Sequence, residues 1–174
     1  MKTVLKKLIQ NSGGSIPFIK FMEEALYHPH KGYYMTEGKR LGPGGDFVTA
    51  PELTSLFGEL LALQMIELWQ LMGSPAKFQL IEMGPGSGRL AYDILRTAKQ
   101  FKDFYAAVSY ELVEISQDFS QRQKKLLQKG GVHKKAHWHS DLDGVVDGGI
   151  VGVIFANEFL DALPVHLVEQ APHG

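Results

Sequence analysis

The 174-residue chain has no cysteine, so disulfide bonds, thiolate zinc sites and a cysteine nucleophile are all excluded. It also has no stretch approaching the ~18 consecutive apolar residues that span a membrane, and its first residues lack the long apolar core of a signal peptide. With a formal net charge of -1 and interspersed lysine and glutamate, it offers no basic face to a nucleic acid. These absences predict a cytoplasmic protein with no membrane span and no nucleic acid partner.

Helical spacing of apolar residues characterises the first part of the chain, up to Gly73. We predict one amphipathic helix at the N-terminus and a second that starts at Ser15 as its N-cap. A longer helix is predicted from Pro51 to Met72, and Gly73 ends it. Together with a loop rich in Gly, Tyr and Pro at residues 28–50, these helices form a predicted N-terminal segment over residues 1–75.

The period of the apolar pattern changes after Gly73. Strand-like runs and helical runs now alternate along the chain. The predicted strands are residues 78–83, 107–113, 136–139 and 150–156, and the predicted helices are residues 89–100 and 116–128. Such alternation indicates a parallel sheet covered on both faces. We therefore predict an α/β protein, with a partial Rossmann-like domain of four strands at residues 76–174.

A glycine turn between the first strand and the next helix is the most specific signal. Its three alternating glycines, Gly84, Gly86 and Gly88, permit a sharp turn, close approach of a ligand and close packing of the helix on the strand. Arg89 stands where a dinucleotide fingerprint has its third glycine, so the spacing slips by one residue. Glu82 just before the turn would repel a pyrophosphate, but it suits a ligand with an ammonium group, such as S-adenosylmethionine.

A carboxylate at the end of the second strand, Glu114, is the second signal. In a doubly wound sheet this position lies beside the first glycine turn, where a carboxylate can accept hydrogen bonds from both ribose hydroxyls. Glu111 is predicted to point to the opposite side. The alternative for Glu114 is a solvated strand end without a ligand.

The end of the third strand offers a place for a base. There Asp141 could accept a hydrogen bond from an adenine amino group while Leu142 packs on the ring; the alternative is a helix N-cap at Asp141 or Asp143. His137 and His139 alternate with Asp141 in a metal-like spacing. Nothing else in the sequence completes a metal shell, so we predict no metal and read the histidines as a solvated face.

The fourth strand ends in Asn157 and Glu158, with Asp161 shortly after. Because ligands of open α/β sheets lie outside the carboxyl ends of the strands, these residues are the predicted catalytic group. Methyltransferases acting on DNA bases or glutamine often have Asn-Pro-Pro-aromatic here. The carboxylate of Glu158 in place of the first proline suits a cationic acceptor such as guanidinium. Alternatively, Asn157 and Asp161 only cap the next helix.

Four segments together resemble the MidA family of class I S-adenosylmethionine-dependent methyltransferases. They are residues 45–52 (GDFVTAPE), 80–90 (LIEMGPGSGRL), 110–114 (YELVE) and 156–164 (ANEFLDALP). The resemblance implies a class I methyltransferase sheet. It also implies a protein substrate, because mitochondrial members methylate an arginine of a respiratory complex I subunit during assembly. We expect a bacterial member of this family, in the cytoplasm.

The resemblance also implies roles for individual residues. The three glycines of the turn and Glu114 would hold the cofactor, and Thr49, Pro51 and Glu52 would cover it from the N-terminal side. For Thr49 the alternative is a capping box, in which the Thr49 side chain caps a helix and the Glu52 carboxylate accepts a hydrogen bond from the Thr49 backbone amide. Two other functions stay open: an NAD-dependent oxidoreductase, and a non-catalytic assembly or binding factor with the same fold.

The chain departs from the family in its length. A complete class I sheet has seven strands, whereas this sequence ends just after the fourth, so we expect a truncated fragment, and whether it is active by itself stays open. Without a fifth strand, the edge formed by residues 152–156 would be unpaired and apolar. We therefore expect an oligomer that is either intertwined or paired through this edge.

Overall fold

The computed structural model describes residues 1–36, 49–146 and 148–171, which form two compact units. The first unit combines Met1–Glu37 with Glu158–Gly174, and the second is Gly38–Asn157. The predicted boundary between residues 75 and 76 stays a prediction. The helical residues 62–69 just before it pack with the sheet.

The first unit contains two helices and a short 3-10 turn. Helix α1 is Lys2–Asn11, α2 is Phe18–Tyr27, and the turn is Leu160–Ala162. The Tyr27 hydroxyl donates to the carbonyl of Ala162 at 2.8 Å and so connects the two stretches of this unit. The prediction that Ser15 caps α2 is wrong, because Pro17 occupies the N-cap position without a side-chain hydrogen bond. Residues 37–48 of the predicted loop lie outside the described residues.

The second unit is built on a parallel sheet of four strands. They are β1 (Phe78–Met83), β2 (Val108–Val113), β3 (Ala136–His139) and β4 (Gly152–Ala156). Their order across the sheet is β3-β2-β1-β4, and all three neighbouring pairs are parallel. The predicted α/β class and the four strands are therefore confirmed.

The described residues of the second unit form six helices. They are α3 (Ala50–Leu53), α4 (Ser55–Leu71), α5 (Arg89–Ala98), α6 (Lys102–Ala107), α7 (Gln117–Lys129) and α8 (Asp143–Val146), and a 3-10 turn spans His133–Lys135. The long helix predicted before Gly73 is interrupted at Thr54, whose extended backbone places its hydroxyl to accept from the Leu56 amide at 3.2 Å. Gly73 ends α4 as predicted, with φ 83°.

Two apolar clusters pack on opposite faces of the sheet. The larger one joins α4, α5 and α6 to the sheet, with Trp69, Phe78, Phe104 and Tyr110 among its buried rings. The smaller one has only three buried members: Ile81, Val113 and Val145. The described residues therefore cover one face of the sheet more deeply than the other.

Close backbone contact joins β4 to β1 at Gly152. A Cβ atom at this glycine would lie 1.9 Å from the carbonyl oxygen of Gln79. The Gln79 amide in turn donates to the Val151 carbonyl at 2.9 Å. Only glycine therefore allows β4 to start its pairing here.

None of the helices in the described parts of the chain is both long enough and apolar enough to cross a membrane.

Candidate functional site

The carboxyl ends of the four strands lie in register. Met83 pairs with both Val113 and Ala156, and Val113 pairs with His139. The residue that follows each strand therefore stands at the same edge of the sheet. The fold therefore brings together the glycine turn, Glu114 and the first residues of the loops that follow β3 and β4, as the sequence predicts.

The glycine turn depends on left-handed backbone conformations. Gly84, Gly86 and Gly88 have φ values of 62°, 52° and 78°, which L side chains rarely adopt. The Gly84 amide donates to the carbonyl of Val113 at 3.1 Å and ties the turn to β2. At Gly88 a Cβ atom would lie 2.8 Å from Cγ of Gln123. The close contact of Gly88 is therefore with α7. The prediction that Gly88 lets α5 pack closely on β1 is wrong.

Glu82 is a buried carboxylate at the end of β1, with 3% of its surface exposed. The Tyr110 hydroxyl donates to its Oε2 atom at 2.6 Å. Burial raises the pKa of Glu82 to about 7; the Tyr110 hydrogen bond opposes this shift and the charge of Glu114 adds to it. A cation close to Glu82 would therefore lower this pKa, and the carboxylate would then be fully charged at neutral pH.

Glu114 follows β2 and is fixed by hydrogen bonds. Its Oε1 atom accepts from the Ser116 amide at 2.8 Å, and Oε2 accepts from Nε2 of Gln123 at 3.1 Å. Burial raises the pKa of Glu114, and these hydrogen bonds act against the shift. A carboxylate held in this way has a defined orientation at the edge of the sheet.

Glu111 points to the other face of the sheet, as predicted, and contacts His139. The two side chains are 2.7 Å apart, between Oε2 and Nε2, and Glu111 is only 7% exposed. The Ser109 hydroxyl donates to the other carboxylate oxygen. The prediction of a purely solvated histidine face is therefore wrong for His139, although His137 is exposed. Among the described residues, no group of three or more acidic or histidine side chains could hold a metal ion.

Gln123 is the residue that sequence reasoning missed. Its side chain is fully buried in α7; Nε2 donates to the Gly86 carbonyl at 2.8 Å as well as to Glu114, and Oε1 accepts from the Trp138 indole at 2.9 Å. The available signal was its position, because Phe119, Gln123 and Leu127 share one helix face and are the buried residues of α7. A polar residue on an apolar helix face indicates a specific partner.

Helix α3 contacts the glycine turn from the N-terminal side. The Ser87 hydroxyl donates to the Glu52 carboxylate and accepts from the Arg89 amide at 3.2 Å. Thr49 is the N-cap residue of α3, but its side chain makes no capping hydrogen bond. The capping box considered for Thr49 and Glu52 is therefore not formed, and Glu52 binds the turn instead.

The loop after β3 contains the two predicted adenine contacts. Asp141 accepts from the Gly144 amide at 3.2 Å, which corresponds to the capping alternative. This bond and the Ser140 hydroxyl lower the pKa of Asp141, which is exposed. Leu142 packs against the smaller apolar cluster. Both residues follow the strand edge, and their contact with a base stays a prediction.

The predicted catalytic residues are divided between the two units. Asn157 follows β4 directly and stands in the second unit, whereas Glu158 and Asp161 belong to the first. Glu158 has a left-handed backbone, with φ 51°, which is strained for a glutamate. The capping alternative is wrong for the 3-10 turn that follows, because its N-cap is Phe159 and no side chain caps it.

The parallel sheet, the glycine turn and the two carboxylates at the strand ends define a Rossmann-like domain, a class of domain in which small ligands bind at the strand ends. The chain belongs to the family described as "Putative S-adenosyl-L-methionine-dependent methyltransferase", whose model matches residues 60–174. The family resemblance inferred from the motifs is therefore confirmed.

Solved structures agree with the family and the fold. A COG1565 superfamily member from Burkholderia thailandensis, crystallised with S-adenosyl-homocysteine, is 32% identical with a TM-score of 0.81; the match covers 93% of this chain and 41% of that one. A native crystal structure of a COG1565 superfamily protein from the same organism is 33% identical with a TM-score of 0.77, over 99% of this chain and 42% of the other.

Curated relatives are named as mitochondrial arginine methyltransferases. Protein arginine methyltransferase NDUFAF7 of Homo sapiens is 38% identical, over 94% of this chain and 41% of that protein. Its Drosophila melanogaster homolog is 38% identical, over 91% of this chain and 39% of that protein. The chain thus spans about two fifths of their length. Because these relatives are mitochondrial, the prediction of a cytoplasmic, bacterial location is wrong.

Proposed function

We propose that this chain provides the cofactor-binding part of an S-adenosylmethionine-dependent methyltransferase. The observation that carries the proposal is the common strand edge at which the glycine turn, Glu82 and Glu114 meet. The buried Glu82 carboxylate suits the ammonium group of the cofactor, and Glu114 suits two ribose hydroxyls. The glycine turn supplies space for a ligand to approach the backbone. The crystal structure of a relative with S-adenosyl-homocysteine supports this assignment.

Further residues complete the proposed cofactor site. Asp141 would accept from the adenine amino group, and Leu142 would pack on the ring. Thr49 lies at the start of α3, whose Glu52 already contacts the turn, and would cover the cofactor from that side. The bound cofactor would supply an electrophilic methyl group. The protein would then have to hold the acceptor in line with it.

The acceptor is proposed to be a protein arginine, because the curated relatives are named as protein arginine methyltransferases. A subunit of a respiratory complex is the proposed substrate. Glu158 and Asp161 would bind the guanidinium through charge-assisted hydrogen bonds, and Asn157 is the third proposed catalytic residue. In an active protein that contains this chain, Glu158→Gln is expected to keep the affinity for S-adenosylhomocysteine and to abolish methylarginine formation, measured by mass spectrometry. Equal loss of both would assign Glu158 to the fold or to the cofactor.

Calorimetric titration with S-adenosylhomocysteine and with NADH tests the cofactor. We expect binding of the first and none of the second; the reverse would indicate an oxidoreductase.

Glu114→Gln should weaken S-adenosylhomocysteine binding about tenfold, the effect of losing a charged hydrogen-bond acceptor. Glu111→Gln is the matched control, because it changes a buried glutamate of the same strand on the opposite face. Equal effects of the two variants would contradict the ribose role.

A further inference from the structure

Gln123 connects three segments that meet at the strand ends. It receives a hydrogen bond from Trp138 on β3, and it donates to Gly86 in the turn and to Glu114 after β2. All three bonds are between 2.8 and 3.1 Å, and the side chain has no exposed surface. A neutral side chain therefore connects a backbone carbonyl, a carboxylate and an indole without any contact with water.

The Trp138 indole determines which way the amide of Gln123 points. An indole nitrogen can only donate, so the atom of Gln123 that faces Trp138 must be the oxygen. The amide nitrogen is then left facing the Gly86 carbonyl and the Glu114 carboxylate, which can only accept when the carboxylate is charged. No other arrangement of the amide satisfies all three neighbours.

Gly88 adds a steric reason for this arrangement. A side chain at Gly88 would meet Gln123 at Cγ, Cβ and Cα, at distances of 2.8, 3.1 and 3.3 Å. The turn and α7 are therefore in van der Waals contact at the residue that makes the hydrogen bonds.

We infer that Gln123 is a positioning residue for ribose binding: held by Trp138, its amide fixes the orientation in which the Glu114 carboxylate receives the ribose hydroxyls. This inference rests on the proposed function of the site. Gln123 itself does not need to touch the ligand. It acts through Glu114, and Trp138 acts through Gln123.

The inference is tested by the affinities for S-adenosylhomocysteine and for its 2′,3′-dideoxy analogue, which lacks both ribose hydroxyls. Gln123→Leu removes the donors to Glu114, so we expect about a tenfold loss of affinity for S-adenosylhomocysteine. For the analogue we expect a loss of less than about twofold, because it makes no bond to Glu114. Trp138→Phe keeps an aromatic ring and removes only the indole donor, and it should show the same selectivity with about a threefold loss.

Trp69→Phe is the matched control. Trp69 is buried, and its indole donates to the Pro75 carbonyl at 2.9 Å, before β1, whereas the glycine turn follows β1. This variant should lower stability without changing the ratio of the two affinities. If the variants of Gln123 and Trp138 weaken both ligands equally, the inference is overturned while the proposed function stands. If the unmodified chain binds neither ligand, the proposed function fails and the inference fails with it.

Discussion

Glu82 and Tyr110 form a buried acid–phenol pair beneath the glycine turn. A carboxylate in an apolar environment costs free energy unless a cation or several donors compensate it. Here the Tyr110 hydroxyl donates to Glu82 at 2.6 Å, and no cationic side chain among the described residues forms an ion pair with it, so burial raises the pKa of Glu82 to about 7. The folded chain therefore holds a group that is about half protonated near neutral pH.

This pair gives the stability of the chain a defined pH dependence. Because Glu82 binds its proton more tightly when folded, the free energy of unfolding should fall as the pH rises from about 4.5 to about 7, and this contribution should then level off. The shift corresponds to roughly 3 kcal/mol over that window. Glu82→Gln, which can still accept from Tyr110, should remove this part of the dependence. Urea unfolding of both proteins at pH 5 and pH 8 measures it; parallel curves would refute the assignment.

Ligand binding should also be coupled to the loss of a proton from Glu82. An ammonium group beside this carboxylate would lower its pKa, so binding of S-adenosylhomocysteine near pH 7 should release a fraction of a proton. Calorimetry in buffers of different ionisation enthalpy measures that release. The Glu82→Gln variant should bind without it.

At the scale of residues, the side chains at the ends of strands are easier to predict from the sequence than the side chains that hydrogen-bond to them. Glu82, Glu114 and the glycines are readable because a strand, a turn and a helix place them in order along the chain. Gln123 and Tyr110 depend on contacts between elements far apart in sequence. Their partners could not be deduced before the packing of α7 and β2 was known.

At the scale of elements, the pairing of β4 with β1 depends on one glycine. Gly152→Ala would place a methyl group 1.9 Å from the Gln79 oxygen, so the strands must separate or shift. We expect a loss of about 3 kcal/mol in the free energy of unfolding, a typical cost of overpacking. Gly144→Ala in α8 is the control, because its Cβ would meet only ordinary contacts at 3.8 and 3.9 Å. Urea denaturation compares them, and equal stability would show that β4 adjusts freely.

The elements themselves were largely predictable, and the differences have local causes. Periodicity predicts α4 and α5 because each presents an apolar face to the same cluster. It misses the break at Thr54, where a side-chain cap overrides a continuous apolar pattern. It also misses α6, whose six residues are too few for helical periodicity to stand out from the strand that follows.

At the scale of the molecule, the sheet ends at β4 within the described part of the chain. Edge strands present unpaired backbone groups, and apolar side chains on them favour pairing with another copy. Ile154 in the middle of β4 is 49% exposed, and Val151 before it is 47% exposed. We therefore propose that copies of this chain associate through β4.

Light scattering coupled to size-exclusion chromatography tests this association. The unmodified chain should elute as an oligomer, and Ile154→Lys should shift it toward the monomer, because a charged side chain on an edge strand opposes pairing. Leu71→Lys is the matched control: Leu71 is 77% exposed at the end of α4, so the same change in charge is made away from the sheet edge. A monodisperse monomer of the unmodified chain, or equal shifts in both variants, would show that β4 is not the surface through which copies associate.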